Sequence, residues 1–119
     1  MPSKKKHIEQ YKKNKSLANS KYMKQTQFKD WRIVIIFYAA MHYLDSSYAD
    51  VNNHPKTHKK RKEFLDMTPQ YDEIIDEYDN LEMLSRKSRY DCIQILDNEV
   101  TDALINLTSI EKFVSKLSN

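Results

Sequence analysis

Asp30-Trp31-Arg32-Ile33-Val34-Ile35-Ile36-Phe37-Tyr38-Ala39-Ala40-Met41-His42-Tyr43-Leu44 is the most apolar stretch of the chain, and its reading decides the fold class. A short apolar run of this kind suits a buried strand equally well. Here the pattern extends over residues 30–50, holds Ala39-Ala40 inside and meets no breaker. That length and continuity predict a central helix buried on nearly every side. Asp30 is suited to cap its N-terminus. The unbroken apolar run from Ile33 to Met41 falls well short of the roughly 20 residues that a bilayer crossing needs, so no membrane association is expected.

Working outward, residues 5–24 carry Ile8, Tyr11, Leu17, Ala18, Tyr22 and Met23 among lysines. Those spacings predict a first helix, with Met1–Lys6 as a frayed basic tip. Val51-Asn52-Asn53-His54 reads as a loop. Pro55 suits the first position of a helix over 55–67, which Thr68-Pro69 ends. Residues 70–89 place Tyr71, Ile74, Ile75, Tyr78, Leu81 and Leu84 on one helical face, with an acidic face opposite. Residues 91–97 are an ambiguous connection. A last helix over 98–117 carries the stripe Val100, Ala103, Leu104, Leu107, Ile110, Phe113, Val114 and Leu117, with Ile105 off it. The sum is one all-α domain over 1–119, an antiparallel bundle of about five helices.

Composition agrees. The 119 residues include no glycine and three prolines. Without glycine there is no Walker loop, no dinucleotide turn and no glycine-rich phosphate cradle. Tight β-hairpins are also disfavoured. The single cysteine, Cys92, excludes an internal disulfide and any multi-cysteine metal site, and reads as a small buried hydrophobe. No apolar segment of signal-peptide type follows the basic start. A cytoplasmic protein without a cofactor is expected.

The net charge of +3 is unevenly laid out. Residues 1–62 hold 15 Lys/Arg and 4 Asp/Glu, a balance of +11; residues 63–119 hold 5 and 13, a balance of −8. A basic half of this kind suits a polyanion such as RNA. The competing reading is that the acidic segment 72–82 neutralises the basic helix beside it.

Three ordered stretches resemble the HEPN family of small helical-bundle proteins: Asp30-Trp31-Arg32 into Phe37–Asp45, His54-Pro55-Lys56-Thr57-His58-Lys59-Lys60-Arg61, and Tyr71 onward into Leu84–Asp91. The resemblance covers about residues 5–117. It implies an up-and-down bundle, a homodimer, and a role in RNA cleavage, RNA binding, or a toxin–antitoxin or defence system with a protein partner encoded nearby. Family ribonucleases carry Arg followed four to six residues later by His. Here Arg32 precedes His42 by ten, and no His follows Arg61, Arg86 or Arg89. The resemblance therefore leaves enzymatic activity open.

If successive helices alternate in direction, Arg86, Arg89 and Tyr90 finish at the end that holds His54 and His58. A neutral His moves protons near pH 7, and Arg stabilises phosphoryl oxygens. On that chemistry His58, Arg89 and Arg61 are the candidate catalytic residues of a metal-independent ribonuclease-like site. His54, Lys56, Lys59, Lys60, Arg86 and Tyr90 are the candidate RNA- or nucleotide-phosphate ligands. His54 and His58 lie four apart, but no third ligand is near them in sequence, so no metal centre is expected. His42 reads as a hydrogen-bonded core histidine. Ser85, Ser88 and Cys92 lack a positioned base. The alternative function is a non-catalytic interaction bundle serving as a partner subunit.

Overall fold

The computed structural model describes residues 2–117. It is all-α. Helix α1 spans Lys4–Ala18, α2 Lys21–Lys24, α3 Lys29–Ala49, α4 His58–Met67, α5 Ile75–Tyr90 and α6 Asp97–Leu117, with a 3-10 turn over Pro69–Ile74 before α5. Among the described residues there is no strand, and no helix is long and apolar enough to cross a membrane.

Helix α3 is the axis. Its Ile33, Ile36, Phe37, Ala39, Ala40, Leu44 and Tyr48 are fully buried. Each of the large side chains among them contributes about 1.5–3 kcal/mol on leaving water. Ala39 and Ala40 keep the waist of the helix thin, so its neighbours approach closely. The burial is not complete all round, because Trp31 stands largely in solvent.

The neighbours' directions follow from their contacts. At its foot, α1 pairs Lys4 with Asp50, and at its top the Ala18 carbonyl accepts from Arg32 Nε, so α1 runs antiparallel to α3. Ser3 Oγ accepts from the Lys6 amide and starts α1 at Lys4. Lys4–Lys6 are thus helical rather than frayed; Met1 lies outside the described residues. The helix expected over 5–24 is split after Ala18, where the Ser20 hydroxyl donates to Leu17 O and caps α2 by accepting from the Met23 amide.

The second departure concerns α4. The expected start at Pro55 moves to His58, because Thr57 is the residue whose side chain accepts an orphan amide, that of Lys60. Residues 50–57 form a non-helical strap, reversed at Asn52 with φ 56°. The strap carries the chain back up α3, since the His58 ring packs beside Phe37 and Tyr38. Helix α4 then descends until Phe64 meets Tyr48 edge-on. It runs parallel to α3, not antiparallel as simple alternation implies. Thr68-Pro69 consequently turns at the foot, where Tyr71 OH and Ser47 Oγ lie 2.8 Å apart. Helix α5 climbs back past Phe37 with Tyr78, and its end shares a cavity with Asp30 through Ser88 and Cys92. Helix α6 descends from the Lys29–Asp97 pair to Tyr43 and Ser115. Its Val100, Ala103, Leu107, Ile110, Phe113 and Val114 are buried, as the stripe predicts, and Ile105 is exposed.

Cys92 is exposed rather than buried, and ends α5 at φ 53°. Left-handed backbone costs a residue with a Cβ about 1–2 kcal/mol. Cys92→Gly should therefore raise stability by about 0.5–1 kcal/mol after the greater unfolded-chain entropy of glycine is deducted. A higher urea midpoint with unchanged slope is the expected result.

Candidate functional site

Asp45 is an acid in the most apolar helix of the chain, and its side chain is 2% exposed. Such a group needs a partner. Arg61 of α4 supplies it through a two-pronged fork: Nε donates at 2.9 and 3.1 Å to the two carboxylate oxygens, and a terminal amino group donates at 2.9 Å. Burial works against the guanidinium charge, but the hydrogen bonds and charge of Asp45 outweigh it and hold the Arg61 pKa above its ordinary value. Arg61 thus faces inward to Asp45.

Around this pair stand three histidines, His7, His42 and His58. His7 of α1 and His42 of α3 place their Nδ1 atoms 3.1 Å apart, so one donates and the other accepts. Sequence reasoning placed His42 in a hydrogen bond but missed its partner. Burial lowers the pKa of both, the negative charge of Asp45 opposes this, and each also lies within the field of Arg61. His58 is likewise lowered, first by burial and then by Arg61 and Arg89. The Nδ1 atoms of His54 and His58 and the hydroxyls of Tyr48 and Tyr78 are buried with no hydrogen-bond partner among the described residues. Burial, then the neighbouring Tyr78 and Asp45, pushes the Tyr48 hydroxyl well up, so it stays protonated.

The predicted site residues divide among several places. His58, Lys59 and Arg86 line one cavity of about 510 Å³ between α4 and α5, together with Lys62 and Tyr78. His54, Lys56 and Lys60 line a second of about 620 Å³, floored by Pro55, Phe64 and Met67. His54 and His58 therefore open on different cavities. Arg89 lies close enough to lower the His58 pKa; its Nε donates to Ser85 O at 3.3 Å and its guanidinium lies 5.0 Å from the ring centre of exposed Tyr90. The first cavity is not uniformly basic. Glu63, Asp66, Asp79 and Glu82 line it too, Lys62 pairs with Asp66 and Asp79, and Arg86 pairs with Glu82. Here the acidic helix does neutralise its basic neighbour.

One ligand atom each from His7, His42 and Asp45 lies within 4.8 Å of the other two. Two imidazoles and a carboxylate are donors that first-row divalent metals accept. Both Asp45 oxygens, however, already hold Arg61, whose positive charge would stand beside any cation bound there. The trio lies where two hydrogen-bonded pairs meet, His7–His42 joining α1 to α3 and Arg61–Asp45 joining α4 to α3.

The chain matches no protein-family model, no curated protein and no solved structure.

Two outcomes follow from the network. Arg61→Met should cost about 3–5 kcal/mol by leaving a buried carboxylate unpaired, and adding Asp45→Leu should recover most of it, as read from urea midpoints. The histidines set a pH dependence. Their ordinary pKa is 6.5, and the folded values of His7, His42 and His58 lie below it. As pH falls through 6.5 the unfolded chain takes up protons that the folded chain refuses, so stability is full above that pH and is lost below it. The urea midpoint should fall between about pH 7.5 and 5.5, and less steeply in His42→Gln.

Proposed function

We propose that this protein is a HEPN-like, RNA- or nucleotide-associated bundle, acting as a divergent metal-independent ribonuclease or RNA-binding module in a cytoplasmic toxin–antitoxin or defence system. One observation carries this reading: His58. Its imidazole is kept neutral near pH 7 by burial and by Arg61 and Arg89, and it opens on a cavity it shares with Lys59 and Arg86. A neutral imidazole beside guanidinium groups is the equipment for moving a proton at a phosphodiester. In this reading His58 exchanges the proton, while Arg89 and Arg86 meet phosphoryl oxygens. His54, Lys56 and Lys60 then hold an adjoining phosphate in the neighbouring cavity. Homodimerisation and a protein partner encoded nearby belong to the same proposal. The all-α bundle is the architecture the resemblance to the HEPN family implies.

A second reading has its own observation. Lys62 and Arg86 are already paired with carboxylates at the cavity wall, which suits a non-catalytic interaction bundle. Labelled single-stranded RNA separates the two. In a catalytic site, His58→Ala and Arg89→Ala each abolish cleavage with little change in melting temperature. In a binding site, Arg89→Ala weakens RNA affinity with no cleavage to lose. Absence of RNA binding at low salt, with both variants destabilised, supports the interaction bundle and overturns the RNA reading.

A further inference from the structure

Residues 20–32 leave three aromatic rings in solvent: Tyr22 is 89% exposed, Phe28 57% and Trp31 59%. The same chain buries Phe37 and Tyr48 completely. The same segment is rich in cations. The segment holds Lys21, Lys24, Lys29 and Arg32 against one acid, Asp30. No ion pair engages Lys21 or Lys24 among the described residues, whereas Lys29 reaches Asp97.

The backbone beneath is fixed rather than loose. Ser20 caps α2, Thr26 Oγ1 accepts from the Phe28 amide at 2.9 Å, and the Phe28 carbonyl accepts from the amides of Trp31 and Arg32. Binding therefore has little backbone entropy left to remove. Unpaired lysines among them fit poorly with a protein-interface core, where lysine is depleted. Aromatic faces interleaved with cations are what single-stranded nucleic acid requires: bases stack on the rings and phosphates meet the charges.

We propose that this corner is a stacking platform for single-stranded RNA, with bases on Tyr22, Phe28 and Trp31 and phosphates on Lys21 and Lys24. The inference rests on the RNA reading above and adds where the strand lies. Trp31 and Tyr38 are seven residues apart, on the same face of α3, roughly 10 Å along the axis. The Tyr38 ring lies 6.3 Å from that of His58, beside the nearer Phe37. A strand stacked on Trp31 is thus led along α3 toward the His58 cavity.

Trp31 is the only tryptophan, so its emission reports this corner alone. The test titrates the full chain with fluorescein-labelled oligouridylate, reading anisotropy for binding anywhere and Trp31 emission for binding here. Saturable quenching in step with anisotropy is expected, weakening as salt rises. Trp31→Ala and Tyr22→Ala should each weaken affinity about 5- to 150-fold. Trp31→Phe should keep most of it, and all three variants should melt like the parent because the rings are exposed. Anisotropy that rises while Trp31 emission stays fixed, with Trp31→Ala binding normally, overturns the platform and leaves the RNA reading standing. No anisotropy change at low salt overturns both. Emission that shifts with protein concentration alone assigns the corner to a second copy of the chain and overturns the platform.

Discussion

The fork between Arg61 and Asp45 is the interaction on which the rest of this structure depends. Helix α4 has a sparse apolar face, and Leu65 is its one fully buried side chain. A helix so short and so basic would not hold its place by hydrophobic burial. A buried carboxylate on α3 gives it a single strong anchor, and the two-pronged geometry fixes its rotation as well as its position. Everything that α4 and the strap before it bring to the site, His54 and His58 above all, is oriented by that one bond pair.

The strap over residues 50–57 explains why the site lies on the flank of the bundle and not at its end. By returning the chain to the level of Phe37 before α4 begins, it sets His58 against the middle of α3. Three histidines then surround one buried ion pair, although they come from α1, α3 and α4. For His7, His42 and His58, burial disfavours the proton each would otherwise gain in mild acid. Groups held neutral in this way resist acid only at the expense of the fold's stability below their ordinary pKa.

The central helix was legible because its apolar pattern ran too long for a strand, and the α5 and α6 stripes because their period was regular. The course of α4 was not. Pro55 is a good first residue for a helix, but Thr57 offers the capping oxygen, and the capping bond decides the start. With the helix three residues later, the strap is long enough to reverse the expected direction. Of the network, Asp45 carried a readable signal: an acid three residues after His42 in an apolar helix demands a buried cation. Only its location was hidden, because Arg61 lies across a loop whose path no local pattern specifies. His7 precedes Tyr11 by four, on the buried face of α1, and the lysines around it masked that spacing. Of the exposed aromatics of 20–32, Tyr22 and Trp31 were read as ordinary helix members. Their exposure depends on where α1 stops, which Ser20 marks through bonds to Leu17 and the Met23 amide.

The split of charge between the two halves of the chain has a consequence for how the fold is reached. Lys15–Glu111, Lys29–Asp97 and Lys62–Asp79 each join a cation of the first half to an acid of the second. Exposed pairs of this kind add little to the finished structure. Before folding, however, the chain is a block polyampholyte, with +11 at one end and −8 at the other. The blocks attract each other over a distance that salt shortens to about 8–10 Å. Collapse therefore begins with the N-terminal helices drawn toward α5 and α6, and ionic strength acts on the rate of assembly far more than on the stability of what is assembled.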